Sequence, residues 1–471
     1  MAINKEKRFL ALAKNGDKYM KIIIVGCGKI GKAMIESLSA EGHDIVIVDK
    51  NPAVLNETAD IYDVMGVCGN AVDCDTLEEA DAANADIIVS VTESDEMNML
   101  ACYLAKKLGA KHSVARIRNP EYNDQSLGFL RQQLDLSLSL NPELLVAEEI
   151  SNILQLPSAV KIERFSKRNI EMVEIILPPD SPLDGMSLIK MREKYKEHYL
   201  ICTVHRNNRV YIPDGRFELC AGDRIGLVAS HSEIAKLLRR LGLLRKQAKS
   251  VMILGGGKPS YYLAKKLISL GVDVKIIEKR LDRCEFLSSE LSEAMIIHGD
   301  GAQQELLLEE GISSMDAFVS LTGMDEENIM LSIFASMQNV PKVVAKINRD
   351  ELLTMAEKLG VETIISPSHV SSNIIVRYAR ALENTQGSNV ERLYKLVDGK
   401  AEALEFKVAP ESKVIGIPFK DIMLKSNVLI AGITRGRKTI IPSGSDMILA
   451  DDRVVVVSAD QRLHDLDDIL I

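Results

Sequence analysis

The chain has 471 residues, and that length suggests roughly three or four domains. Its net charge of −9 argues against a general nucleic-acid binder, which needs a basic footprint to release phosphate counterions. No run of about 18 apolar residues offers a membrane span, no secretory signal precedes the first strand, and the seven scattered cysteines without CxxC pairs fit a reducing cytoplasm.

Residues 1–19, "MAINKEKRFLALAKNGDKY", read as a basic N-terminal extension ahead of the first strand, which begins at Met20-Lys21-Ile22. From there to residue 155 short Ile/Val runs alternate with helical stretches: "KIIIV", helix, "DIVIV", helix, "MGVC", helix, "ADIIVS", helix, "HSVARI". That alternation predicts βαβ units, and aliphatic strands without aromatics predict a parallel sheet buried on both faces.

The loop Gly26-Cys27-Gly28-Lys29-Ile30-Gly31 joins the first strand to a helix in the GxGxxG pattern. Gly26 permits the tight turn, Gly28 lets a pyrophosphate approach the backbone, and Gly31 lets helix and strand pack closely. The helix amides then face phosphate at a partly positive helix end. The second strand ends in Asp49, spaced to accept hydrogen bonds from both ribose hydroxyls, and its charge would repel a 2′-phosphate, so NAD is favoured over NADP. "VTESDEMN" closes the fourth strand and places Thr92 and Glu93 toward the nucleotide, with helix capping by Thr92 as the alternative. Arg116 stands in the apolar run of the next strand and needs a phosphate or a carboxylate such as Glu93, or a structural ion pair.

After "LSLSL" and Asn141-Pro142 a helix over 143–155 is expected. From about residue 160 turn chemistry dominates (Pro-Pro-Asp, Asn-Asn, Pro-Asp-Gly), predicting a small α+β module of mostly antiparallel strands. The segment "LLRRLGLLRKQAKS" reads as a linker with a solvated charged helix face. Then the pattern starts again. Gly26 and Gly255 lie 229 residues apart, as do Asp49 and Glu278, and the correspondence continues through "VTESDEMNMLA" and "LTGMDEENIMLS" to the end of the chain. Such a period marks duplication of a two-domain unit. The expected layout is an extension at 1–19, Rossmann-like domains at 20–155 and 250–384, and small lobes at 156–245 and 385–471.

The second loop, Gly255-Gly256-Gly257-Lys258-Pro259, keeps two glycines of the pattern and the acid Glu278, but has Ser260 in place of the third glycine. Arg116 becomes Lys346 and Glu93 becomes Gly323. This second pocket reads as weaker, as taking a different nucleotide, or as structural only. A dehydrogenase also needs a proton-transferring group. The candidates His198, Cys202 and His205 do not converge on one strand face, and Ala431 and Thr434 replace the last two in the second copy. Nucleotide binding without catalytic equipment points to sensing; an NAD-dependent oxidoreductase with a degenerate duplicate is the competing reading.

On "VGCGKIG", "VTESDEMNMLAC", "ARIRNPEY" and "IPDGRFELCAGDRI" with its second copy, each half resembles an RCK (KTN) unit: a Rossmann-like N-terminal domain followed by an RCK C-terminal lobe. Two such halves resemble TrkA-type regulatory subunits of bacterial Trk potassium-uptake systems, over about residues 20–471. The resemblance implies a non-enzymatic, cytoplasmic, peripheral subunit on the inner face of the membrane, bound to a TrkH-type potassium channel. It implies NAD or NADH as ligand, with ATP and ADP in some members, and a homotetrameric gating ring. By motif it carries the first site onto Gly26 to Ile30, Asp49, Thr92, Glu93 and Arg116, and the second onto Gly255 to Pro259 and Glu278.

Overall fold

The computed structural model describes residues 19–471 except 123, 166–169, 208, 385–389, 397–399, 437, 460–462 and 464. The expected N-terminal extension therefore lies outside the described residues, Tyr19 excepted.

The first half opens with β1 (Lys21–Val25), α1 (Lys29–Ala40), β2 (Asp44–Asp49), α2 (Pro52–Tyr62), β3 (Met65–Cys68), α3 (Cys74–Glu79), β4 (Ile87–Ser90), α4 (Asp95–Leu108), β5 (His112–Arg116), α5 (Asp124–Gln133) and β6 (Leu138–Leu140). These strands form one parallel six-stranded sheet in the order β3-β2-β1-β4-β5-β6. Ile22, Ile23 and Ile24 are fully buried, as are Ile87, Ile88 and Val89, because helices cover both faces of the sheet. The strand order reverses between β1 and β4, which opens a crevice at the carboxyl ends of the strands.

Next come α6 (Pro142–Gln155), β7 (Lys161–Phe165), β8 (Ile170–Ile176), α7 (Leu188–Lys194), β9 (Tyr199–Arg206), β10 (Arg209–Tyr211), β11 (Arg224–Ala229) and α8 (His231–Arg240). The second half repeats the layout: β12 (Ser250–Leu254), α9 (Lys258–Ser269), β13 (Asp273–Glu278), α10 (Leu281–Glu290), β14 (Met295–His298), α11 (Gln304–Glu309), β15 (Ala317–Ser320), α12 (Asp325–Met337), β16 (Lys342–Lys346), α13 (Asp350–Lys358), β17 (Ile364–Ile365) and α14 (Pro367–Asn384). It closes with β18 (Val390–Leu396), β19 (Ala401–Lys407), β20 (Val428–Arg435), β21 (Lys438–Ile440) and β22 (Arg453–Ala459). The second parallel sheet runs β14-β13-β12-β15-β16-β17, and the small lobes are antiparallel sheets ordered β10-β9-β11-β8-β7 and β18-β19-β22-β20-β21.

Packing divides the chain differently from sequence order. One body holds residues up to 142 together with 368–383; the other holds 143–367 and 384–471. Most of α14, encoded in the second half, thus belongs with the first Rossmann-like sheet. Ser372 Oγ donates to the Ala33 carbonyl at 3.2 Å and to Ser37 Oγ at 2.6 Å on α1. Arg380 grips Glu41 through Nε at 2.7 Å and Nη2 at 2.6 Å, and both side chains are buried. Breaking a buried pair of this kind is strongly destabilising, since losing one partner leaves an uncompensated charge.

In the other body the two small lobes share a core. Phe165, Met172, Cys202 and Val228 of the first meet Leu396, Ala403, Val455 and Val457 of the second, and Phe165 meets Tyr394 edge-on at 4.6 Å. Each lobe carries the same fork: Arg206 on Asp223 at 2.6 Å, and Arg435 on Asp452 at 2.7 Å. The stretch expected to be a solvated linker is partly anchored instead. Leu237, Leu238 and Leu241 are buried, and Arg245 donates to the Pro341 carbonyl at 2.8 Å and pairs with Glu362 at 3.2 Å. Leucines spaced three and four apart gave α8 an apolar stripe that needed covering.

Lys342, at the start of β16, is 1% exposed and donates through Nζ to the Ala159 carbonyl at 2.7 Å. Burial brings its ammonium down to about 7, with Glu362 opposing and Arg245 reinforcing that shift. The unfolded chain keeps this proton to about pH 10. Between those values the unfolded state binds more protons, so stability rises with pH through this window, and below pH 7 the full cost of the buried charge is present. Lys342→Met is therefore expected to shift the melting midpoint, relative to the parent, more favourably at pH 6 than at pH 9. Calorimetry at both pH values checks this, and an equal shift at both would exclude it.

Candidate functional site

At the carboxyl end of β1 the chain turns through Gly26 at φ +98°, in the left-handed region that favours glycine, and the Gly26 amide donates to the Val48 carbonyl at 2.9 Å. The tightest constraint is at Gly31: a Cβ built there would lie 1.9 Å from the Gly26 carbonyl oxygen. Helix α1 therefore seats directly against the loop. Gly28 is its N-cap, with no side-chain cap, and a Cβ there meets nothing within 4 Å. The first-turn amides of α1 thus open on an unobstructed side, as a phosphate would require. Lys29 is exposed and Ile30 half-buried at the same turn.

Asp49 ties the glycine loop to the turn after β2, one oxygen accepting from the Cys27 amide at 2.7 Å and the other from the Asn51 amide at 2.8 Å. Each oxygen keeps a further lone pair for a hydroxyl donor. Cys27 is 1% exposed, and burial, reinforced by Asp49, pushes its thiol up to about 12, so it fills space rather than reacts.

Across the crevice, the Thr92 hydroxyl donates to Asn98 Oδ1 at 2.7 Å, and the α4 cap is Ser94, which accepts from the Met97 amide. The capping role weighed for Thr92 thus falls to Ser94. Glu93 offers its carbonyl to the Arg118 guanidinium, while Asp95 accepts from the Arg118 and Asn119 amides at 2.8 Å each. Arg116 is half-buried, and its carbonyl accepts from Asn98 Nδ2 at 3.0 Å. The sequence reading overlooked Asp95, Asn98 and Arg118. Yet Asp-Glu-x-Asn recurs as Asp325 and Asn328, and Asn328 repeats the contacts of Asn98, with Thr322 Oγ1 at 2.8 Å and the Lys346 carbonyl at 2.9 Å. Both asparagines are fully buried and tie the loop after the fourth strand to the fifth.

The second loop reproduces the frame with different side chains. Gly255 has φ +94°, and Glu278 accepts from the Gly256 amide and, at 2.7 Å, from the Arg280 amide. A Cβ at Gly256 would lie 2.8 Å from both Glu278 Oε2 and Leu287 Cδ1, so these side chains would have to shift to admit a larger residue there. Gly257 caps α9 without a side-chain bond, and Lys258 and Pro259 open that helix. Ser260 is fully buried, and its hydroxyl has no hydrogen-bond partner among the described residues.

The dehydrogenase candidates stay apart. His198 precedes β9, with its side chain 85% exposed beside Glu233, whereas Cys202 lies in the core shared by the small lobes. No group of three metal-ligating side chains occurs among the described residues, and no described helix is long and apolar enough to cross a membrane. The two loops also make opposite demands. Gly31→Ala should push α1 off the loop, costing about 1–3 kcal/mol of stability, whereas Ser260→Ala removes an unpartnered hydroxyl and should cost nothing. Denaturant titration of both variants measures this.

Comparison with known proteins follows the same division. Residues 22–128 and 251–367 match the TrkA-N domain family, and 172–242 and 403–471 match the TrkA-C domain family. The Trk system potassium uptake protein TrkA of Vibrio alginolyticus is 34% identical over 450 residues, spanning 94% of this chain and 96% of its own. A TrkA homologue of Archaeoglobus fulgidus is 30% identical, spanning 96% of this chain and all of its own. In fold, the GsuK channel, also solved bound to NAD, superposes over 94% of this chain and 77% of its own, with TM-scores of 0.62 and 0.61 and identities of 17% and 16%. The tandem TrkA-N and TrkA-C domains, with relatives of this identity over nearly the whole chain, place this protein in the TrkA family of Trk system potassium uptake proteins.

Proposed function

We propose that this chain is a nucleotide-sensing regulatory subunit of a Trk-type potassium uptake system, working from the inner face of the membrane on a TrkH-type channel subunit. The carrying observation is the first glycine loop: a helix N-terminus without a side-chain cap, an unobstructed Gly28, and a carboxylate fixed at the ribose position by two amides. NAD or NADH fits this frame. The amides of Gly28 to Gly31 would hold the pyrophosphate and Asp49 the ribose, with Thr92, Glu93 and Arg116 lining the far side. A bound nucleotide supplies charge and shape here rather than a reaction, in keeping with relatives named for potassium uptake.

A ligand shifts a regulatory equilibrium only through its different affinity for two states. The route for that difference is α1. Its first turn would face the phosphate, and farther along Ala33, Ser37 and the adjoining Glu41 hold α14. A homotetramer would set eight Rossmann-like domains in a closed ring, so that the same ligand acts at equivalent sites around it.

Asp49→Ala is expected to weaken NADH binding at least tenfold, about 1.4 kcal/mol, and to abolish the nucleotide response of potassium flux. The assay is flux into proteoliposomes holding the channel subunit, with oligomer mass checked by light scattering. A variant that assembles normally and responds like the parent would refute the proposal.

A further inference from the structure

Within the body that holds both small lobes, the second Rossmann-like sheet meets the first small lobe at a polar joint. At its rim Arg245, after α8, donates to the Pro341 carbonyl and pairs with Glu362, which precedes β17. Arg224, at the start of β11, lies 3.8 Å from Glu357 on α13. On the lobe side the Ser158 hydroxyl accepts from the Arg245 amide at 2.8 Å and donates to the Leu243 carbonyl at 2.7 Å. Arg245 and Glu362 are half-exposed, and pairs open to water hold a joint only weakly.

The centre of the joint is Lys342. It begins β16, is fully buried, and reaches with Nζ to the carbonyl of Ala159, which sits in the apolar core of the first small lobe with Leu156, Leu237 and Leu241. Burial dominates its titration, because an ammonium loses its hydration here and gains a neutral acceptor in return. The charged groups that act on it are Glu362, which favours the charged form, and Arg245, which opposes it. Asp316, ahead of the neighbouring β15, is taken up by the Lys249 and Ser250 amides at 2.8 and 3.0 Å. Lys161 and Glu163, on β7, pair with each other at 3.6 Å.

The first half shows what is particular to this position. His112 pairs with Ile87 on β4 as Lys342 pairs with Ala317 on β15, so the two residues occupy one place in the repeat. His112 is half-buried among Lys106, Lys111, Asp86 and Asp135, with the Tyr378 hydroxyl at 3.4 Å, and solvent reaches it. The longer lysine stem instead carries its nitrogen through the joint into the lobe, where a charge finds no water.

We propose that Lys342 makes this joint a proton-sensitive hinge, docked while the amine is neutral and released as protonation places an unsolvated charge at its centre. The neutral amine still donates to Ala159, whereas the ammonium is relieved only when opening admits water. Proton uptake and opening are therefore linked. A free lysine keeps its proton to about pH 10 and the docked one to about 7, so opening gains roughly a decade per pH unit between those values and levels off below them. In this TrkA-family chain a fall in pH would thereby move the first small lobe without any ligand, independently of both glycine loops.

The test is hydrogen exchange of the full-length protein, followed by mass spectrometry from pH 9 to pH 5.5 and expressed as protection factors, which removes the intrinsic pH dependence of exchange. Peptides covering 155–162 and 243–249 are expected to lose protection at least tenfold between pH 9 and pH 6, with little further loss below, while β12 and α9 stay protected. Lys342→Met keeps the stem without the charge and should hold the joint closed throughout; its β12 protection shows that it is folded. Glu362→Gln, at the exposed rim, removes the acid that favours the ammonium and should move the levelling point to lower pH. Equal protection of the parent at both ends of the range, or a parent-like loss in Lys342→Met, overturns the proposal. So does a loss of the same size in β12 and α9, which would mean global unfolding rather than opening of the joint.

Discussion

A carboxylate at the end of the second strand, bonded to the amide of the middle loop residue, sets the geometry of each half. Asp49 holds Cys27 in this way and Glu278 holds Gly256. That bond fixes the loop so that the next helix starts with its amides on the open side, and it leaves the helix seated on the loop. In the first half the seat is so close that only glycine fits at residue 31. The second half tolerates Ser260 at the matching position and leaves its hydroxyl buried without a partner. The frame survived duplication because it is mostly backbone; the side chains on it were free to diverge.

Divergence followed pairs of residues rather than single positions. The longer acid, Glu278, accompanies Gly256 and the shorter Asp49 accompanies Cys27; a Cβ at Gly256 would crowd both Glu278 and Leu287. The buried asparagines and the aspartates preceding them were kept in both halves. They satisfy backbone groups in the crossing between fourth and fifth strands, where losing one would strand several buried polar groups. Charged groups that reach into the crevice were not held by such a requirement, and they differ.

Much of this was legible in the chain. Short Ile/Val runs alternating with helical stretches located the strands and helices of the Rossmann-like domains, and the repeat announced two copies of one unit. Glycine spacing with an acid after the second strand marked each loop. The resemblance to RCK units agreed with the TrkA-N and TrkA-C matches. Lys342 escaped notice because nothing in its local sequence distinguishes a cation reaching a buried carbonyl from one facing water. Arg245 was read as solvated for the same reason, and Arg118 was passed over beside Arg116. Packing groups residues 143–155 with the body that holds both small lobes, and 368–383 with the first Rossmann-like sheet, a pairing that crosses the repeat boundary.

Local residue types and their spacing determined, without any coordinates, that the chain holds two glycine-loop crevices at parallel sheets and two small antiparallel lobes. Those features depend on backbone conformation and hydrophobic period, both of which are properties of short segments. Only the tertiary structure decided which helix packs on which sheet, that Ser372 and Arg380 hold α1 from across the repeat, and that the lobes share one core. These are contacts between residues separated by hundreds of positions, where complementarity of packed surfaces decides the partner and no local pattern records it.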